Sequence, residues 1–300
     1  MTPAVQLLAG VSLDLVLGDP RWLPHPIRGL GHIVTRLESL WRRTPLPPRI
    51  AGCGFWLCSV GSATAAVWLT LPWAAIYWIY SLLALRGLDL EATRILEALE
   101  QGDLAGARDK LAMIVGRDTA HLDEPEIVRA AIETVSENLS DAVIAPLFYL
   151  ALLGPAGMAA YKAINTLDSM YGYNDERYKD FGWASARMDD LANLVPARLS
   201  AALVWICALL PGFSARRAVL ATLRDAAGQP SPNSGYPEAA VAGALGVRLG
   251  GLNYYGGVPS QKNYLGEPVQ PISRQAFRGA RVLLYSASIL MVAVSYAVLA

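Results

Sequence analysis

Residues 130–175 read AAIETVSENLSDAVIAPLFYLALLGPAGMAAYKAINTLDSMYGYND. Carboxylates and amides stand at both ends, an apolar run lies between them, and Gly154-Pro155-Ala156-Gly157 breaks that run. A soluble amphipathic helix keeps its polar residues along one side, and this stretch does not. Each apolar arm is only about a dozen residues, or ~18 Å of helix at 1.5 Å per residue. A bilayer core is ~30 Å thick. The pattern therefore predicts a re-entrant helical hairpin over 142–164 whose two polar ends meet. Broken backbone of this kind is tolerated at membrane depth where protein or a water-filled cavity covers it.

The rest of the chain favours a membrane setting. Charged residues are 17% and apolar residues 54% of the 300, with a mean hydropathy of +0.33. Val282–Ala300 is free of charge and long enough to cross. Ala51–Leu85 is too long for one span, and Pro72 suggests two crossings joined by a tight turn. Ala4–Gly18 is short and contains Asp14, which has to face protein or water. No Lys or Arg precedes that run and no small-residue cleavage site follows it, so an uncleaved segment is expected. Arginines in 19–50 and Arg216, Arg217, Arg224, Arg248, Lys262, Arg274, Arg278 and Arg281 in 214–281 assign both stretches to the cytoplasm by the positive-inside rule. Leu199–Phe213 then breaks the parity of crossings and is not expected to be a simple span. Residues 86–141 carry apolar positions at helical spacing with a turn at Gly102-Asp103. The expected fold is an all-α polytopic membrane protein, one domain over 1–300, with 86–141 and 214–281 as cytoplasmic-facing helical or loop segments.

Composition also excludes. The net charge is zero, which gives no general field for nucleic acid. Cys53, Cys58 and Cys207 form no CxxC and lie in apolar stretches. There is no P-loop and no dinucleotide fingerprint. No G-x-S-x-G elbow is present either.

Chemistry is concentrated in five places. Glu133, Glu137 and Asp141 recur at i, i+4, i+8, which on one helix forms a row of like charges. Such a row invites a cation, a basic partner or solvent. Lys162, Asn165, Asp168 and Ser169 form a second polar stripe whose oxygens can ligate Mg²⁺. Arg187, Asp189, Asp190, Asn193 and Arg198 form a third, with guanidinium groups suited to phosphate or carboxylate. Gly228–Gly246 holds a proline-stiffened loop with Ser231, Asn233 and Ser234, then a helix start at Pro237-Glu238 whose free N–H groups favour an anion. Asp19, His25 and Arg28 share a proline-rich segment, where His25 is a proton shuttle, a ligand or a loop hydrogen-bonder. Ordinary alternatives stand beside each: solvated faces, cap bonding, surface ion pairs and a rigid loop.

Five motifs then fall in one order. LDLVLGDPRWLPHPIRGLG, ETVSENLSDAVIAPLFY, YKAINTLDSMYGY, RMDDLANLVPARL and SPNSGYPEAAVAGALGVRLGG resemble the adenosylcobinamide-phosphate synthases of cobalamin biosynthesis, from about residue 10 to 256. One departure is Gln229, where that family often carries a histidine. The resemblance implies a multi-pass protein of the bacterial inner membrane with a cytoplasmic active face. It implies an ATP- and Mg²⁺-dependent ligase joining adenosylcobyric acid to (R)-1-amino-2-propanol phosphate. On it, His25, Glu137, Asp168 and Arg187 are expected in catalysis. Lys162, Asn165, Arg198, Asn233, Ser234 and Glu238 are expected to bind substrate or phosphate. Glu133, Glu137, Asp141, Asp168, Asp189 and Asp190 are the candidate metal ligands. Trp22, Tyr171, Tyr173 and Tyr236 are expected to line a groove for the corrinoid. The implied partners are the corrinoid, the amino-alcohol phosphate, the lipid bilayer and other enzymes of the pathway. The rival classes are a transporter and a non-catalytic membrane sensor or assembly protein.

Overall fold

A computed structural model describes every residue except Arg21 and Pro24, and every described side chain except those of Arg28 and Pro72. The chain falls into two compact units, each drawn from separate segments. The first takes in residues 1–86, 141–194 and 292–300, and the second 87–140 and 195–291.

In the first unit, helix α1 (Pro3–Leu17) packs on α3 (Pro48–Leu82). Gly10 permits that approach, because a Cβ there would come within 2.5 Å of Ile79. Asp14 is buried on α1, and its carboxylate accepts the Arg86 backbone N–H at 3.2 Å. Helix α2 (Pro26–Arg42) starts at His25, whose ring nitrogen accepts the Ile27 N–H. Its Leu30 and Val34 join Ala51 and Phe55 of α3 and Phe181 in one apolar core.

Two readings of this region need correction. Residues 51–85 are not two crossings joined by a turn. Helix α3 runs unbroken through Pro72 for 35 residues, about 52 Å at the α-helical rise. An interior proline in an apolar helix is a tolerated irregularity rather than an obligatory reversal. The second correction is Tyr171, which is buried against Phe55 with ring centroids 5.0 Å apart and so lines no open groove.

The hairpin expectation agrees with the structure. Helix α6 (Glu124–Asn138) of the second unit leads into a π-helical turn at Leu139–Ile144 and then α7 (Ala145–Tyr171). Within α7, Gly154 has φ 70° and ψ −170°, a region open essentially to glycine alone. Beyond it the chain turns back. Tyr149 and Tyr161 stack at 5.1 Å, although twelve residues of straight helix would separate them by about 18 Å. Helix α8 (Trp183–Ala192) packs on α7 and α3.

In the second unit, α4 (Leu85–Glu100) and α5 (Leu104–Ala112) meet at the turn foreseen from Gly102-Asp103. Gly102 has φ 75° and Asp103 caps α5 by accepting the Gly106 N–H. Asp123 and Glu126 form a reciprocal capping box at the start of α6. Helix α9 (Leu194–Cys207) precedes α10 (Ala215–Asp225) and α11 (Gly235–Leu245). Helix α11 is small-residue throughout, and a Cβ at Gly243 would overlap the Arg217 carbonyl of α10.

The all-α expectation misses one element. Strands β1 (Leu249–Tyr255) and β2 (Val258–Leu265) form an antiparallel hairpin turned by Gly256 and Gly257, both at positive φ. Asp118 accepts both of those N–H groups, at 3.1 and 2.7 Å. Helix α12 (Arg274–Leu299) closes the chain.

Among the described residues three helical stretches are long and apolar enough to cross a membrane: Pro48–Leu71, the run Glu124–Tyr171, and Arg274–Leu299. A fourth is reached only if α8 and α9 count as one, which agrees with the expectation that 199–213 is no simple span. The Glu124–Tyr171 run is long by residue count, but it doubles back at Gly154.

Gly154→Ala should destabilise the protein by about 1–3 kcal/mol. No atom outside the local chain lies within 4 Å of a Cβ placed there, so the cost is backbone strain alone. Thermal unfolding in detergent measures it, and an unchanged midpoint would mean that the reversal does not depend on a glycine-only conformation.

Candidate functional site

The reversal of α7 places residues that are far apart in sequence side by side. The Asn165 amide lies 3.4 Å from the Asp141 carboxylate and 3.4 Å from the Asp189 carboxylate. Lys162, one turn earlier on the same arm, is opposed by Asp141, Asp189 and Asp19. Asn193 buttresses the group. Its amide donates to Asp189 at 3.0 Å, and its carbonyl oxygen accepts the Tyr161 hydroxyl at 2.9 Å. The stacked Tyr149 ties its own hydroxyl to the Ala192 carbonyl. Three elements of the first unit, the π-helical turn, α7 and α8 with its C-cap, thus hold a lysine, an amide and two carboxylates in fixed relation.

Asp168 lies one turn beyond Asn165. Its backbone carbonyl accepts the Gly172 N–H at 2.7 Å, and a side chain at position 172 would overlap its carboxylate. His25 Nε2 lies 3.3 Å from the Asp19 carboxylate, and its Nδ1 accepts the Ile27 N–H at the start of α2. Arg187 pairs with Asp190 at 3.2 Å on the surface. Trp22 and Tyr173 are exposed.

The second unit carries a different set. Glu133 is buried, accepts from Arg117 and Arg129, and also accepts the Gly250 N–H of β1 at 2.8 Å. Arg117 donates in addition to Asn253 at 2.7 Å, and Arg129 to the Gly250 carbonyl at 2.7 Å. The charge of Glu133 is consumed in docking the β-hairpin on α6. Glu137 faces solvent one turn on. Glu238, in the first turn of α11, is 2% exposed, with Glu137 and Lys262 as its electrostatic neighbours. Burial first, then repulsion from Glu137 and Glu133, pushes the Glu238 carboxyl well above the usual range, against the pull of Lys262 and Arg117. For Lys262 burial lowers the proton affinity, but Glu238 and Glu137 outweigh it and raise it.

The loop before α11 is organised around Arg198. Its guanidinium donates to Asn233 at 2.9 Å and lies 4.0 Å over the Tyr236 ring. Ser231 accepts the Asn233 and Ser234 N–H groups, each at 3.2 Å. Gln229, at the family's frequent histidine position, is buried and donates to the Asn263 carbonyl.

The expected row of Glu133, Glu137 and Asp141 does not form. The π-helical turn begins between Glu137 and Asp141 and breaks the i+4 register. Asp141 turns to Asn165 in the first unit, while Glu133 belongs to the second. The six candidate ligands do not converge either. Among the described residues no group of three or more His, Cys, Asp and Glu is placed to hold a metal ion. Asp141 and Asp189, which both accept from the Asn165 Nδ2, still offer hard carboxylate oxygens. Mg²⁺ is commonly held by one or two carboxylates plus substrate phosphates and water, so that pair fits it.

Arg117 and Lys262 escaped the sequence reading as site residues. The signal for Lys262 was present: Gly256-Gly257 between β-forming runs marks a tight hairpin, and Lys262 follows on the returning strand.

A chain with apolar helices long enough to span a bilayer is a membrane protein, and this one gathers acidic, amide and basic side chains at a helical reversal. It belongs to the CobD/Cbib protein family, whose model matches residues 7–284. The cobalamin biosynthesis protein CobD of Pelobacter propionicus is 50% identical, over 98% of this chain and 94% of that protein. Its namesake in Geobacter metallireducens is 49% identical over 95% and 93%, and that of Clostridium perfringens 42% over 89% of each. No solved structure matches.

Two outcomes follow. Glu133→Ala, which strands two arginines, should cost about 3–5 kcal/mol, whereas Arg187→Gln at the surface should cost less than about 1 kcal/mol. Denaturant titration compares them, and equal effects would remove Glu133 from its docking role. For Glu238, the folded carboxyl keeps a proton that the unfolded one releases. Its contribution to stability is full below the ordinary glutamate range and is lost as pH rises toward the raised folded value. Glu238→Gln should therefore gain stability relative to wild type as pH is raised, and a flat difference would contradict the buried setting.

Proposed function

We propose that this chain is an ATP-dependent amide ligase that joins adenosylcobyric acid to (R)-1-amino-2-propanol phosphate, giving adenosylcobinamide phosphate, ADP and phosphate. Family membership supports the reading, since the family is that of the adenosylcobinamide-phosphate synthases. The single structural observation that carries it is the approach of Asp141 and Asp189 to Asn165, with Lys162 beside them. A carboxylate is a poor electrophile, and ATP with Mg²⁺ supplies the phosphoryl group that activates it.

The residues divide the remaining work. Asp141 and Asp189 would hold the cation, and the Asn165 amide sets the orientation of the two carboxylates by donating to both. Lys162 offsets negative charge on the phosphates. Asp168, on the same arm, extends the oxygen lining. Arg187, held at the surface by Asp190, offers a second cation to phosphate. In the second unit, Arg198, Asn233 and Ser234 form the phosphate-binding loop for the amino alcohol. The amine must lose a proton before it attacks, and solvent-facing Glu137 accepts it, with Glu238 and Lys262 setting its surroundings. His25 positions the segment that carries Asp19. Glu133 shapes the scaffold through the β-hairpin. The setting we assign is the bacterial inner membrane with these residues on the cytoplasmic side, by the arginine distribution.

The test uses the purified chain in detergent with adenosylcobyric acid, the amino-alcohol phosphate, ATP and Mg²⁺. Adenosylcobinamide phosphate and ADP should appear in equal amounts. Asp189→Asn and Asp168→Ala should each lower the rate about 10²–10³-fold while the protein stays folded. Absence of product from folded wild type would sink the ligase reading, and product without ADP would sink its ATP dependence.

A further inference from the structure

One arginine of the second unit, Arg217, is left with a buried and unbonded nitrogen. Among the described residues no carboxylate pairs with Arg217, and its Nε is buried without a hydrogen-bond partner. A buried guanidinium nitrogen left unbonded is costly, which calls for an acceptor from outside the chain. Arg217 lines a cavity of about 200 Å³, open to solvent, between α10 and the end of α11. Gly246 walls it at φ 70°, and a Cβ there would come within 3.3 Å of the Arg217 guanidinium. Arg224 and Glu267 also line it. Arg224 is already spent on Asp225 and Glu267, at 2.6 and 2.5 Å. Arg217 is therefore the cation of the cavity that has donor capacity to spare.

The surroundings of that cation are apolar. Leu220 and Leu223 of α10 are 51% and 73% exposed. Trp205 of α9 donates to Thr222 of α10 at 3.1 Å. Past that tie, the chain leaving α9 exposes Leu209 at 76%. A soluble anion would satisfy Arg217 and leave these leucines in water. An amphiphile satisfies both.

We infer that the Arg217 cavity binds the phosphate of an anionic phospholipid, with the acyl region lying against Leu220 and Leu223. Helix α10 then rests in the membrane interface. The site uses none of the residues assigned to the ligase and does not depend on that reading.

The experiment is native mass spectrometry of the full chain in detergent, titrated with phosphatidylglycerol or with phosphatidylcholine of the same acyl chains. A third arm adds glycerol phosphate as a competitor. Wild type should hold phosphatidylglycerol about tenfold more tightly than phosphatidylcholine, the scale of one charge-assisted hydrogen bond. Arg217→Gln should erase that preference. Leu223→Gln, at a position too exposed to govern folding, should weaken both lipids and decides the matter if the arginine variant does not fold. The inference is overturned if Arg217→Gln keeps the preference, if Leu223→Gln binds as wild type, or if glycerol phosphate displaces the lipid at equal concentration. The last result would make this a site for soluble anions.

Discussion

Everything in the first unit depends on one backbone geometry. Gly154 takes a conformation that a side chain forbids, and the chain folds back on itself there. Without that reversal the polar ends of the 130–175 stretch would stand tens of ångströms apart, each in its own unfavourable setting. With it, Asn165 meets Asp141. Stacked Tyr149 and Tyr161 fill the space between the arms, and their hydroxyls are satisfied by Ala192 and Asn193. The apolar arms and the polar ends are two consequences of the same turn.

The second unit solves a different problem with charge. Buried ions are tolerated when they are paired and fully hydrogen-bonded. Glu133 achieves that with two arginines and a backbone amide. Glu238 does not, and remains a buried carboxyl that favours its protonated form. One acid has been kept charged and the other left to hold its proton, by the partners each was given.

The hairpin was legible in the sequence because both its length deficit and its glycine-proline break are local. So were the turn at Gly102-Asp103 and the small-residue helix after Ser234. The continuity of α3 through Pro72 was not legible, since a proline in an apolar run is compatible with either a kink or a reversal. The i+4 row failed because a π-helical turn leaves no mark that periodicity detects. Glu133 looked like a ligand because its partners, Arg117 and Gly250, lie far from it along the chain. The β-hairpin was hidden inside a segment judged by its arginine count rather than by its Gly-Gly turn. Both units are stitched from separated segments, so no composition boundary announces them.

The docking of the β-hairpin on Glu133 has a consequence for how the protein is made. The hydrogen bond from Gly250 closes over 117 residues. At roughly 5–20 residues per second of synthesis, the glutamate emerges from the ribosome about 6–20 s before its backbone partner exists. During that interval α6 carries an acid that its final environment is built to enclose. Arg117 and Arg129 precede Glu133 in the chain and can pair with it at once, so the strand amide is the last of its partners to arrive.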